Sequence, residues 1–242
     1  MIKDFLLVHA GPTVPSEDVR DYLQFRHAPL ALSVPVVARE MKLYTMNHVV
    51  DHAAPRCYLY RPVAELTTIV EHMFGGWEGM ARISADPQYC ALVRPDEAYM
   101  IGHLMAGAPQ FVAIDRERPI FSSSLPTCAR VFDFVRRPAS ISREAFLDGL
   151  DKDAVWAAEN PHYRAAVAKR VDSLAGSGWV ADKSEATSYG TEAENFDAVV
   201  EVWIADFARF GELINEQRER RAAFCDPERS FTAITEEHRI IN

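Results

Sequence analysis

Apolar and polar positions along the chain change period several times, and each change marks an element. "KDFLLVH" (Lys3 to His9) is compact and rich in strand formers. Next, Ser16 stands as a helix cap with Glu17 and Asp18 in the first turn, and Val19, Leu23 and Leu30 recur on one helical face. "KLYTMNHVV" (Lys42 to Val50) is β-branched and aromatic, the composition of a second strand. A third strand over Val63 to Val70, a helix over Phe74 to Ile83 and a strand over Ala98 to Leu104 complete the first half. The second half opens with a strand, Ala129 to Arg136, and a helix capped by Ser142. Helical spacing continues past Pro161 through Tyr163, Val167, Val171 and Leu174. A weaker second strand is expected near Ala186 to Gly190, then Ala198 to Ile204, a helix over Asp206 to Arg221, and Phe231 to Ile241.

The order is β-α-β-β-α-β, twice. A self-comparison agrees: "ADPQYCALVRPDEAYMI" (85 to 101) lies over "CDPERSFTAITEEHRII" (225 to 241), and "VAELT" over "VVEVW" brings Glu65 onto Glu201. The expected fold is α+β: two ferredoxin-like repeats, residues 1–108 and 127–242, joined by a Pro- and Ser-rich connector over 109–126. Each unit's helices cover one sheet face, and the open faces pack together into a closed barrel with an interior pocket and the helices outside.

"FRHAPLALSVP", "YTMNHVV", "AEL" and "ADPQYCALVRPDEAYMI", in that order, resemble the EthD family of the dimeric α+β barrel superfamily. The resemblance covers residues 1 to 105, and the second half is more remote. It implies a barrel usually built from two chains and here fused as a pseudo-dimer. The superfamily's activities span polyketide cyclases, lyases and isomerases, cofactor-free monooxygenases and haem-degrading enzymes. It also implies that a histidine at the position of His27 faces the mouth of the barrel. Fold alone does not choose among those activities.

Composition narrows the partners. The net charge of −9, with no Lys/Arg stripe, argues against nucleic acid; Arg218, Arg220 and Arg221 are interleaved with Glu216 and Glu219 as on a solvated helix face. Four scattered cysteines without C-x-x-C spacing fit reduced thiols in the cytoplasm. No apolar run reaches the length of a signal h-region or a membrane span, so no membrane is expected.

The candidate chemistry centres on His27, two residues before Pro29. The proline breaks the helix and lets the imidazole turn toward the sheet as an acid-base group, or else His27 merely stabilises a helix end. Tyr44 and His48 share a strand face, expected to project into the barrel: His48 to exchange protons, Tyr44 to polarise a carbonyl. His48 read as a half-exposed strand end is the alternative. His9, Glu65 with Thr67, Trp77, and Glu201 with Trp203 are expected to contact substrate. For the glutamates the alternative is an outward polar position, for Trp77 core packing, and for His9 a structural strand end. Trp156, His162 and Tyr163 around Pro161 echo the His27 break as a degenerate copy. "HVVDH" (His48 to His52) is too little for a metal, because alternation puts Asp51 opposite the histidines. Nucleotide, flavin and serine-hydrolase motifs are missing.

The expected function is therefore a cofactor-independent lyase or cyclase acting on a hydrophobic aromatic or polyketide-like carbonyl compound, with no metal or cofactor. The rival readings are a superfamily monooxygenase acting on an aromatic or on haem, and a non-catalytic binding protein. Nothing in the chain excludes a homodimer.

Overall fold

A computed structural model describes residues 1–50, 57–176 and 196–241. The chain runs β1 (Ile2–His9), α1 (Ser16–Tyr22), a π-helical turn (Leu23–His27), α2 (Ala28–Ser33), α3 (Pro35–Glu40), β2 (Met41–Val49), β3 (Leu66–Phe74), α4 (Trp77–Ser84), α5 (Pro87–His103) and β4 (Gln110–Ser122). It continues through β5 (Ala129–Val135), α6 (Arg143–Glu159), α7 (Pro161–Ala166), β6 (Val167–Ala175), β7 (Ala198–Ile204), α8 (Phe207–Arg221) and β8 (Phe231–Ile241). The eight strands close into an antiparallel barrel in the order β1-β3-β2-β8-β5-β7-β6-β4. Cut between β2 and β8 and between β4 and β6, this order gives two four-stranded sheets. Each has the ferredoxin-like order, its fourth strand beside its first, then its third, then its second. The α+β barrel of two repeats is thus the fold, and the helices lie outside it.

Several elements fall elsewhere than the pattern suggests. Ala98 to Leu104 belongs to the end of α5, and the fourth strand is Gln110–Ser122, inside the expected connector. That strand pairs with β1 through Lys3↔Ile114 and with β6 through Arg118↔Asp172, so it forms part of the barrel wall. The helical spacing after Pro161 is also overridden: α7 stops at Ala166, and Val167–Ala175 is the second strand of its repeat. Its residues are almost all buried because both faces are covered, so no alternation advertises a strand. The expected strand at Ala186 to Gly190 lies outside the described residues. Ser142 does cap α6, accepting from Ala145 N–H at 3.1 Å, whereas Ser16 sits inside α1 and caps nothing.

The two "DP" blocks match only locally. Asp86 accepts from the N–H groups of Gln88 and Tyr89, and Asp226 from those of Glu228 and Arg229. After those turns one block becomes helix α5 and the other strand β8. Register identifies the true counterparts. Phe5 pairs with Glu71 on β1/β3, and Phe132 with Glu201 on β5/β7. Glu201 therefore corresponds to Glu71, while Glu65 is exposed in the turn before β3.

Among the described residues, side chains fill the barrel interior. One end is packed with Phe5, Leu7, Phe132, Phe134, Phe196 and Phe231. Beside them Lys3 contacts Glu71 at 2.7 Å and Glu201 at 3.0 Å, while Arg130 contacts Glu71 at 2.7 Å and also Glu201. Lys3 lies 4.7 Å from the centre of the Phe5 ring, and Arg130 4.5 Å from that of Phe132, so the pseudo-twofold extends to the cation–π contacts. Burial alone would lift the carboxyl of Glu71, but Arg130 and Lys3 outweigh it and hold the group below the carboxylate range. Removing one member leaves the others buried and uncompensated, which costs about 3–5 kcal/mol. Lys3→Met is expected to lower denaturant stability by about that much. A Lys3→Met/Glu71→Gln double variant is expected to lose less than the sum of its single variants. Additive losses in chemical denaturation would contradict the closed ring.

Candidate functional site

With the lumen filled, the polar side chains free for chemistry lie between the outer sheet face and the helices of the first repeat. On β2 it is the even-numbered side, with Tyr44 and Met46, that packs under the helices. Tyr44 and His48 therefore point away from the lumen, opposite to expectation.

Pro29 explains the irregular helix above them. Having no N–H, it cannot continue the α-helical ladder, and the chain answers with a wider turn in which Ala28 N–H donates to Leu23 O, five residues back. The turn leaves Phe25 exposed and His27 largely buried. A second proline, Pro95, lies inside the continuous helix α5 next to Asp96. The π-helical turn and α5 meet there. His27 Nδ1 lies 2.8 Å from Asp96 Oδ2, and Tyr22 donates its hydroxyl to Asp96 Oδ1 at 2.6 Å. The hydrogen bond from His27, opposed by burial and aided by Tyr22, holds the Asp96 carboxyl below its ordinary value. A carboxylate only accepts, so the proton of this contact sits on His27 Nδ1 and leaves Nε2 as the basic nitrogen. Burial and the bond to Asp96 push the Tyr22 phenol up to about 12.

Beneath lies a row across three strands: Asp4, His72 and Tyr44 are cross-strand neighbours. His72 Nδ1 is 3.0 Å from Asp4 Oδ1, and the His72 ring meets Tyr44 edge-on with centroids 4.8 Å apart. Tyr44 is buried, and its hydroxyl makes no hydrogen bond among the described residues. Burial, then the charges of Glu97 and Asp96, raise its pKa, which ties the sheet row to the helix-borne pair. Tyr89 donates to Glu97 on the same helix.

The other expected residues divide. His48 is committed: its Nδ1 contacts Thr68 Oγ1 and its Nε2 contacts Gln24 Oε1, each at 3.1 Å, with His238 packed against the ring. Burial first, then the charges of His238 and Arg20, lower its pKa to about 4. His9 closes β1 half-buried, and burial lowers its pKa against the opposing pull of Glu65. Thr67 donates to Val8 O at 3.0 Å, and Trp77 opens α4 half-buried. Glu201 belongs to the ion ring, and Trp203 is stacked between Arg130 and Lys169, at 4.4 and 4.1 Å. None of these joins the His27–Asp96 pair.

Asp96, Tyr22, Asp4 and His72 went unnoticed in the sequence. Asp96 carried one signal, the proline before it, which mirrors the break after His27. Asp4 and His72 become partners only once the register of β1 and β3 is known. Among the described residues no group of three or more His, Cys, Asp or Glu could hold a metal ion, and no helix is long and apolar enough to cross a membrane.

No family model matches the chain, and no curated protein matches it in sequence. Solved structures do match in shape. An anthrone oxidase-like protein has a TM-score of 0.61 at 10% identity, covering 98% of this chain and 92% of its own. A provisionally named monooxygenase from Fusobacterium nucleatum gives 0.53 at 7% identity, covering 98% and 91%. A single-residue variant of chlorite dismutase from Candidatus Nitrospira defluvii gives 0.52 at 9%, covering 97% and 90%. At such identities the likeness establishes the barrel fold and nothing finer.

The state of His48 gives a pH signature. Its folded pKa of about 4 lies below the ordinary 6.5, so between those values the unfolded chain binds the extra proton. His48 thus contributes stability that is present above about 6.5 and lost as pH falls toward 4. The unfolding midpoint of a His48→Gln variant is expected to depend less on pH across that window. An unchanged pH slope in thermal melts would contradict the neutral, doubly bonded ring.

Proposed function

We propose that the protein is a cofactor-independent oxygenase of electron-rich aromatic carbonyl compounds, working in the helix–sheet layer of its first repeat. The observation that carries this reading is the imidazole of His27, held together with Tyr22 on Asp96, whose charge also reaches the unengaged hydroxyl of Tyr44. Oxygen chemistry without a cofactor starts by making the substrate electron-rich. His27 Nε2 removes a proton from a CH2 conjugated through the arene with an aromatic ketone, and Tyr44 donates a hydrogen bond to the resulting enolate oxygen. Tyr44 stays protonated for that task because burial and the nearby carboxylates raise its pKa. The carbanion then reduces O2. A C–O bond forms, the peroxide takes a proton, and loss of water converts CH2 plus O2 into C=O plus H2O.

The name of the anthrone oxidase-like neighbour supports this choice over the lyase or cyclase reading, which shares the proton-abstraction step but consumes no oxygen. Haem is a poorer fit for the second repeat. There Arg170, Arg221 and Tyr163 are fully buried between helices and sheet, and the described histidines of that repeat, His162 and His238, lie outside that layer. The EthD likeness belongs to the same proposal and rests on the order of its motifs. So do a division of the repeats at 123–128, between β4 and β5, and a cytoplasmic setting, which the four free cysteines favour. A homodimer would pack outer surfaces, because one chain already closes the barrel.

With an anthrone as probe, an oxygen electrode is expected to register one O2 per substrate consumed. His27→Ala is expected to lower kcat by roughly 10²–10⁴-fold. Asp96→Asn is expected to lower it substantially, with unfolding midpoints close to the parent's in both variants. Equal turnover under argon would replace the oxygenase with the lyase. Retained binding without turnover would leave a binding protein.

A further inference from the structure

A cavity of about 1120 Å³ lies away from His27. It opens between the end of β2, the segment 57–66 that leads into β3, and α8. Its lining is unusual for a protein of net charge −9. Arg20, Arg61, Arg218 and Arg221 border it, against Glu228 as the one carboxylate. Three of these guanidiniums have no carboxylate partner among the described residues. Arg218 is held by the carbonyls of Leu59 and Tyr58 and by the side chain of Asn215, Arg20 by the carbonyl of Val49, and Arg61 by nothing. Carbonyls position a guanidinium without cancelling its charge. Arg221 is different. Its Nη1 and Nε face Asp133 and Asp153, each at 3.0 Å, and its Nη2 is buried without an acceptor. Nε of Arg20 is likewise buried and unpaired, and the buried hydroxyl of Tyr60 has no oxygen or nitrogen partner, only the weakly accepting Cys225 thiol. Three unmatched or weakly matched donors on residues of one wall are costly unless a ligand meets them. The rest of the lining is largely apolar, including Val49, Val50, Val63 and Leu66.

We propose that this cavity is a binding site for an organic carboxylate with an apolar, ring-sized body. The carboxylate would accept from Arg221 Nη2 and the Tyr60 hydroxyl, with Arg20, Arg61 and Arg218 supplying the field that draws it in. The body would lie against the valines and Leu66. Such a site is separate from the His27–Asp96 pair and does not rest on the oxygenase reading.

The test is isothermal titration of the intact protein with 2-naphthoate, 2-naphthamide and inorganic phosphate. Naphthoate is expected to bind, the isosteric amide at least tenfold more weakly, and phosphate weaker still. Arg61→Ala removes an exposed, unbonded guanidinium without touching the fold and is expected to weaken naphthoate roughly tenfold. His27→Ala is expected to leave naphthoate affinity unchanged. The site can also be read directly by NMR: an anion beside Arg20 offsets the charge that helps hold His48 near 4, so the His48 titration is expected to move upward when naphthoate is bound. Equal affinity for acid and amide, or an Arg61→Ala variant as tight as the parent, would overturn the proposal. Phosphate matching naphthoate would overturn the apolar half of it, and loss of binding in His27→Ala would move the ligand to the other site.

Discussion

Lys3, Arg130, Glu71 and Glu201 meet inside the barrel, each cation touching both carboxylates. Two of these side chains come from each repeat, and each cation also meets a partly exposed carboxylate of its own repeat, Lys3 with Glu117 at 2.8 Å and Arg130 with Glu237 at 3.0 Å. Separating the repeats would strip Lys3 of Glu201 and Arg130 of Glu71, leaving each buried carboxylate with one cation fewer. Barrel closure therefore depends on more than hydrogen bonds at the two seams. It is the geometry in which four buried charges cancel, and Ser173 and Asn47 add bonds that fix the register of the partners.

A filled lumen decides where chemistry can go. Substrate cannot enter a core of stacked phenylalanines and locked ions, so the reactive groups are those between sheet and helices. That layer would normally be as closely packed as the lumen. In the first repeat Pro29 prevents a regular helix and forces the π-helical turn that carries His27, while Pro95 removes one backbone donor from α5 beside Asp96. The turn costs regular helix hydrogen bonding and brings the imidazole within 2.8 Å of the Asp96 carboxylate.

What the sequence made legible follows physical lines. The βαββαβ order repeated and the helix irregularity at His27–Pro29 could be read, because they rest on local pattern and on the chemistry of proline. Three errors share another origin. Val167 to Ala175 is covered on both faces, so its composition carries no period-two signal, and chance helical spacing prevailed. The "DP" alignment was drawn by a four-residue capping turn and then extended through unlike structure. Glu65 was matched to Glu201 on local similarity, while its real counterpart Glu71 emerges only from strand register. The Asp4–His72 contact is missed for the same reason, since pairing between strands far apart in sequence leaves no local trace.

Fusion of the repeats into one chain frees them to differ. A homodimeric barrel must carry the same interlayer twice, whereas this chain carries two kinds. Between the helices and sheet of the second repeat, Arg170 bridges Asp153 and Asp172 at 2.9 and 2.8 Å, and Arg221 bridges Asp133 and Asp153. These ions are fully buried, and their mutual contacts fix the helices on the sheet. The first repeat has histidines, tyrosines and carboxylates in the corresponding layer, with a π-helical turn beside them. The pseudo-twofold is thus kept at the ion cluster that joins the halves and lost in the layer between helices and sheet. Arg221 joins the two regimes: its inner nitrogens complete the second repeat's network, and its remaining edge borders the arginine-lined cavity at the junction with the first.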